Sequence, residues 1–213
     1  MKIVEVQPLA IPEVKRVRFA RFLDHRGYFT ETFRTADFFG HPALAELRGL
    51  EFVQINESYS RPDVCRGLHF QWDPPMGKLV RPIVGRMIDF ALDLRAGSPT
   101  RGKIVGLAMD AAVDAPAADW IWVPPGFAHG VLFLAATHIE YLCTAFYNPA
   151  CEAGISPLAD DIDWSLCEPA LHAEFRNAAQ RLVLSEKDRQ GLALAAWLRR
   201  PEAQLLAYRG GRP

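Results

Sequence analysis

The chain has 213 residues, half of them apolar and 23% charged, enough to bury one sizeable core in a single domain spanning 1–213. Its 24 Lys and Arg nearly balance 25 Asp and Glu. The resulting net charge of −1 argues against a broad nucleic-acid-binding face and leaves room for a local basic pocket. Charges or prolines interrupt every apolar run before it reaches the length of a membrane span, and residues 1–6 lack the pattern of a secretory signal. The four cysteines form no CxxC pair and read as free thiols, so the expectation is a soluble, cytoplasmic protein.

In chain order, Asp24-His25-Arg26-Gly27-Tyr28-Phe29-Thr30-Glu31 reads as a hairpin turn with a charged strand behind it. It also admits a second reading, with the Arg26 guanidinium gripping a phosphate. Residues 35–50 include a short helix. Short strands follow at 52–56, 78–84, 87–94, 104–109, 120–123, 130–134 and 139–144, each bounded by Gly, Pro, Asp or Arg, and the 87–94 run alternates imperfectly, as a strand with both faces partly buried does. Many short strands separated by turns predict a sandwich or barrel. Residues 185–200 predict a C-terminal helix with Ser185 as N-cap, Asp188 as its capping-box partner and Leu192, Leu194, Ala195 and Leu198 as the apolar stripe. The end at 209–213 is expected to be disordered.

Chemistry concentrates in a few places. Arg66-Gly67-Leu68-His69-Phe70 and Gly126-Phe127-Ala128-His129-Gly130 set histidines beside glycine in β-prone stretches, with Arg66 and Lys78 adding positive charge near the first. An imidazole accepts a proton at neutral pH, and fixed cations hold an anion while it does so, a pairing suited to proton abstraction from an anionic substrate; a satisfied core histidine is the alternative. Gln54-Ile55-Asn56 places two amides on one strand face, where they pair with neighbours or bind sugar hydroxyls and phosphate. Tyr141, Cys143, Ala145 and Tyr147 would share one side of an extended strand, either as core or with a tyrosine hydroxyl able to donate a proton. Asp188 caps a helix and could also hydrogen-bond an imidazole. A metal site fails the spacing test: position 71 is Gln, and the first carboxylate after His69 is Asp73, so His69 and His129 lack the usual third protein ligand.

Taken together and in order, these motifs resemble the dTDP-4-dehydrorhamnose 3,5-epimerase family. The match runs from Phe22-Leu23-Asp24-His25-Arg26-Gly27-Tyr28-Phe29 through Gln54-Ile55-Asn56-Glu57-Ser58, the two histidine segments, Asp93-Leu94-Arg95 with Gly97-Ser98-Pro99-Thr100, Tyr141, Tyr147-Asn148-Pro149 with Glu152, Asp163-Trp164, and Leu184-Ser185 with Asp188. The resemblance implies a mainly β, cupin-type double-stranded β-helix (a jelly-roll barrel) with short C-terminal helices, forming a homodimer without metal or organic cofactor. It implies a nucleotide-linked 4-keto-6-deoxyhexose as substrate, epimerised at carbons 3 and 5 through an enolate. In that reading His69 is the base, Asp188 its partner, Tyr141 the acid on the opposite sugar face, and Lys78 the cation near the enolate oxygen. Arg26, Phe29, Glu31, Gln54, Asn56, Arg66, His129, Tyr147 and Glu152 match positions that contact nucleotide or sugar. The chain departs from the pattern in a loop before Lys78 that is one residue shorter, with Met76-Gly77 where Gln-Ala is common, and in Cys65 where an aliphatic residue is usual. Rival readings are an epimerase of one carbon or of another nucleotide-linked ketosugar, a non-catalytic cupin that binds sugar nucleotides, and a metal-dependent cupin enzyme whose ligands this sequence does not display.

Overall fold

In a computed structural model of the chain, residues 1–208 are described; the segment 209–213, expected to be disordered, lies outside the described residues. The N-terminal strands are β1 (Ile3–Pro8), β2 (Lys15–Ala20), β3 (Phe22–Asp24) and β4 (Gly27–Phe29). Helix α1 (Thr35–Gly40) falls where a short helix was expected. The main strands are β5 (Gln54–Ser60), β6 (Cys65–Gln71), β7 (Lys78–Val84), β8 (Arg86–Asp93), β9 (Ile104–Asp110), β10 (Ala117–Val123), β11 (Phe127–Phe133) and β12 (Thr137–Cys143), followed by the short β13 (Glu152–Gly154). Helices α2 (Pro169–Ala178), α3 (Glu186–Arg189) and α4 (Leu194–Leu198) follow, with a 3₁₀ turn at Pro201–Gln204 after them.

Two antiparallel sheets face each other in a cupin-type jelly roll, one ordered β1-β2-β10-β7-β12-β5 and the other β13-β6-β11-β8-β9. The imperfect alternation of the 87–94 run has a direct cause. Met87 and Ala91 of β8 turn inward to meet Val80, Ile121, Val131 and Ile139 between the sheets. Ile88, Phe90 and Leu92 turn outward, where the C-terminal segment covers them with Phe175 and Trp197. Both faces of β8 are therefore dry, and a strand dry on both faces has no reason to alternate. The outer face of the six-stranded sheet is covered in the same way, with Leu79, Trp120, Trp122 and Leu142 meeting Phe38 and Leu44.

The helix expected over 185–200 is corrected to two short ones. Ser185 does cap α3, its hydroxyl accepting the Asp188 N–H. The helix stops after Arg189 because the Leu192 backbone is drawn onto the neighbouring segment, its N–H donating to the Gly154 carbonyl and its carbonyl accepting the Ser156 N–H, both at 2.9 Å, an approach that leaves room only for Gly at 191. Leu192 then bridges Ile155 before α4 begins. Helix α2 carries no helix signal that stood out in the sequence; it is held by Phe175 and Ala178, both buried, and by Trp164, whose ring stacks on His172 and Phe175.

One irregularity positions the chemistry. Along β11, His129 pairs with His69 of β6, and Val131, two residues on, pairs with Arg66, three residues back. This bulge brings Arg66 and His69 to the same cavity, which strict alternation at a separation of three would forbid. Gly67 takes the positive φ (+116°), and a Cβ on it would lie 2.5 Å from the His129 carbonyl oxygen and 2.6 Å from Gly130 Cα. Both obstacles are backbone, so no side-chain rotation relieves them. Gly67→Ala is expected to cost about 2 kcal/mol or more. That lowers the Tm by about 4–8 °C in a scanning-calorimetry comparison with the unaltered protein; an unchanged Tm would show that the strands part without penalty.

Candidate active site

Two adjoining cavities open between the sheets, of about 490 and 370 Å³. Arg66, His69, Lys78, His129, Tyr141 and Asp188 line the larger, and His69, Lys78 and Tyr141 also line the smaller, where Gln54, Asn56, Tyr147 and Glu152 join them. Ten of the sequence-predicted residues are thus gathered in one place, from β5, β6, β7, β11, β12, β13, α3 and the segment after β12.

His69 comes from the five-stranded sheet and is anchored by α3. Its Nε2 lies 2.5 Å from Asp188 Oδ1. A carboxylate can only accept, so Nε2–H donates and Nδ1 keeps the lone pair a base needs. The second Asp188 oxygen accepts the Ser185 hydroxyl at 2.8 Å. This differs from a capping box, in which the side chain would reach the cap's own backbone N–H; here it is turned to the imidazole instead. Burial pushes the Asp188 carboxyl up, but the hydrogen bond and charge of His69, the Ser185 hydroxyl and the Gly67 N–H outweigh it and hold the group below the usual carboxylate range.

Tyr141 and Lys78 come from the opposing sheet, on β12 and β7. Burial pushes the Tyr141 phenol up, and Cys143 beside it acts in the same direction, so the hydroxyl holds its proton across the neutral range. Burial pulls the Lys78 amine down from its ordinary value, against the opposing pull of Cys143, Asp89 and Glu152. The shorter loop before it does not remove Lys78 from the site, because Lys78 opens β7 in register with Val123 and Cys143. Gly77 in place of the commoner Ala fits the same spot, since a methyl there would lie 2.5 Å from the Trp122 ring.

The remaining groups are placed by hydrogen bonds. Arg66 donates Nε–H to Ser60 Oγ at 2.9 Å and is otherwise exposed. Gln54 donates to Asn56 Oδ1 at 3.0 Å, and its own Oε1 accepts the Tyr147 N–H at 3.1 Å, which ties β5 to the segment after β12. Glu152 accepts from Lys187 at 2.6 Å and from the Tyr147 hydroxyl at 3.3 Å. His129 Nε2 meets Asp89 Oδ2 at 2.9 Å. Lys187, Cys143 and Met76 also line the cavities and were not singled out from the sequence. Only its place next to Asp188 could have marked Lys187, since a lysine in the first turn of a helix ordinarily reads as a solvated charge.

Three expected site residues do not reach this pocket within one chain. Arg26 and Phe29 lie exposed on the β3–β4 hairpin, with Arg26 bonded to Asp24 of the same hairpin at 2.6 Å. Among the described residues that hairpin pairs with no other strand. Glu31 is engaged by the N-terminal ammonium at 2.9 Å and by Arg34 at 2.7 Å. Neither cavity is lined by any of the three. Among the described residues no group of three or more His, Cys, Asp and Glu is assembled as for a metal ion, and no helix is long and apolar enough to cross a membrane.

Comparison with known proteins agrees with this geometry. The family model described as dTDP-4-dehydrorhamnose 3,5-epimerase matches residues 8–196. The chain is 42% identical to the dTDP-4-dehydrorhamnose 3,5-epimerase of Methanothermobacter thermautotrophicus over 79% of its own length and 82% of the relative's. It is 41% identical to the Neisseria gonorrhoeae protein of that name over 70% of this chain, a match that spans 43% of that longer relative. Among solved structures, a dTDP-6-deoxy-D-glucose-3,5-epimerase from Legionella pneumophila in complex with dTDP-4-keto-L-rhamnose superposes with a TM-score of 0.77 and 32% identity, over 95% of this chain and 97% of that one. With a match of this extent laid over a jelly roll whose cavity gathers an Asp-bound histidine, a lysine and a tyrosine, the chain belongs to the dTDP-4-dehydrorhamnose 3,5-epimerase family.

Proposed function

We propose that this protein epimerises a dTDP-linked 4-keto-6-deoxyhexose at carbons 3 and 5, in the cytoplasm, by proton removal and return through an enolate. The observation that carries the reading is the placement of His69 and Tyr141 on opposing sheets across one cavity. Inversion at carbon requires a proton to leave one face and another to arrive on the opposite face. A base and an acid facing each other across the sugar meet that demand without moving the substrate.

His69, oriented by Asp188, takes the α-proton on Nδ1. The electron pair passes to the 4-keto oxygen, and the negative charge formed there is met by the Lys78 ammonium. Tyr141 then returns a proton to the carbon on the other face as the electron pair comes back from the enolate oxygen; Tyr141 is reprotonated from solvent, and His69 gives up its added proton to solvent. Because the α-proton of a ketone is a weak acid, placing positive charge where the enolate forms does more for the rate than a stronger base would. Arg66 and Lys187 supply charge for the pyrophosphate, and the Gln54–Asn56 pair with Tyr147 and Glu152 faces the rest of the ligand.

The protein is further proposed to act as a homodimer in which the β3–β4 hairpin of a second copy brings Arg26 and Phe29 to the pocket. The isolated hairpin, with Phe22, Leu23, Tyr28 and Phe29 exposed, supports this reading. In sedimentation and steady-state assays, Arg26→Ala is expected to raise KM several-fold with little change in kcat, and the protein is expected to sediment at twice its chain mass. A monomer of full activity would discard the arrangement.

The reaction itself is tested by incubating the protein with dTDP-4-keto-6-deoxyglucose in deuterated water and following each sugar proton by NMR. Deuterium should enter at carbons 3 and 5; entry at one carbon alone would make the protein a mono-epimerase, and entry at neither would leave a binder. His69→Ala should lower exchange by about 10²–10⁴ while dTDP binding persists. Tyr141→Phe should impair completed inversion more than the first proton loss.

The pH profile provides a separate check. Lys78 stabilises the enolate only when protonated, and burial has lowered its pKa, so activity should fall as pH rises through a value below the ordinary lysine range. Tyr141, shifted the other way, loses its proton only at higher pH. In Lys78→Met the upper limb should disappear, with kcat down about 10²–10³; an unmoved limb would assign it to another group.

A further inference from the structure

We infer that Asp89 is a positioning residue for the reaction proposed above, acting through His129 and as the buried counter-charge to Lys78. Nothing in the sequence drew notice to it. It lies on the inward face of β8 between Met87 and Ala91, where the neighbours on the same side are core residues, and its relative exposure is 0%. A carboxylate in such a place costs several kcal/mol in desolvation unless partners compensate it. One oxygen has its partner, since Oδ2 accepts from His129 Nε2 at 2.9 Å. The other, Oδ1, is buried and makes no hydrogen bond among the described residues.

The geometry accounts for both oxygens. Val131 of β11 stands directly opposite Asp89, and His129 is the diagonal neighbour two residues away, so the imidazole reaches along the strand to meet the carboxylate. That bond commits Nε2–H to Asp89 and fixes the ring beside His69, its partner in the register on the other side. Across the cavity, Lys78 has no ion-pair partner among the described residues. The titratable groups that share its cavities or act on it are Cys143 and Tyr141 on β12, Cys65, Arg66 and His69 on β6, His129 on β11, Glu57 on β5, Glu152 on β13, Tyr147 after β12, Lys187 and Asp188 on α3, and Asp89 on β8. Glu152 is already held by Lys187 at 2.6 Å and by Tyr147. Glu152 still has a second oxygen, but Asp89 is the carboxylate near Lys78 whose unclaimed oxygen is shut off from solvent. It lines neither cavity itself, so it acts on the substrate only through the two residues that do.

Asp89→Asn keeps the shape and removes the charge. With KM and dTDP binding close to those of the unaltered protein, kcat should fall about 10–100-fold, by analogy with the loss of a hydrogen-bonded partner behind a metal-bound histidine. The upper limb of the pH profile should move to lower pH, because a negative neighbour of Lys78 is gone. A merely structural role would lower the Tm and leave the limb in place. A folded variant with the limb unmoved, or with kcat within twofold, overturns the inference.

A measurement on the unaltered protein stands even if the variant does not fold. In ¹⁵N NMR of the imidazoles, with the His129 signals assigned by their loss in His129→Gln, Nε2 should carry the proton; a bare Nε2 overturns the inference. Failure of the reaction itself is read separately. No deuterium uptake by the unaltered protein withdraws the epimerase reading, whereas uptake combined with an indifferent Asp89→Asn withdraws only the role given to Asp89.

Discussion

The hydrogen bond between His69 and Asp188 joins residues 119 apart and sets where everything else in the pocket must lie. Asp188 can reach His69 only because α3 is docked against the five-stranded sheet, and α3 is docked because the chain on either side of it is bonded there. On one side Val183 pairs with Val64, and on the other Leu192 pairs with Ile155. The C-terminal third thus supplies more than a lid on the outer face of β8. It delivers one carboxylate to one imidazole, and Ser185 serves both ends of that delivery, capping the helix with its oxygen and steadying the carboxylate with its proton.

The barrel interior has two chemically different regions, and the boundary between them explains the direction of the shifts. Deep between the sheets the contacts are Met87, Ala91, Val105, Ile121 and Phe133, which offer no polar partner. At the end where β6, β7, β11 and β12 come together, Lys78, His69, His129, Tyr141 and Asp89 share a small volume against that apolar wall. Low polarizability on one side penalises any isolated charge, so Lys78 is pulled toward neutrality and Tyr141 toward its protonated form. The same surroundings strengthen whatever charge pairing survives, which is why one buried carboxylate can matter to two cavity residues.

Much of this was legible in the sequence, though unevenly. The strand at Lys78–Val84 is legible with its bounds, because Gly77 and Gly85 mark its two ends, and the histidine segments draw attention through their glycines. The 185–200 segment reads as one continuous helix because helical periodicity persists through Gly191; what breaks it is the pairing of Leu192 with the 154–156 backbone, which is distant in sequence. Helix α2 escaped because its buried face is only Phe175 and Ala178. Asp89 looked like the polar half of an alternating strand, and only the burial of both faces of β8 reveals it as an interior charge. Arg26, Phe29 and Glu31 match the family pattern yet lie away from the cavity within one chain, since a sequence pattern carries no record of where the fold places each residue.

A jelly roll suits inversion for a reason that lies in its construction. Two sheets face each other across a gap that a sugar can enter, and each sheet projects side chains into the gap from a rigid, hydrogen-bonded frame. The register fixes the depth of each group: His129 opposite His69 in one sheet, and Val80 opposite Tyr141 with Cys143 opposite Lys78 in the other. In the proposed reaction, a base on one wall and an acid on the other address opposite faces of the same ring. With both walls fixed, the stereochemistry of proton return follows from which wall holds the acid. Choice between carbon 3 and carbon 5 becomes a matter of how the ring sits between them.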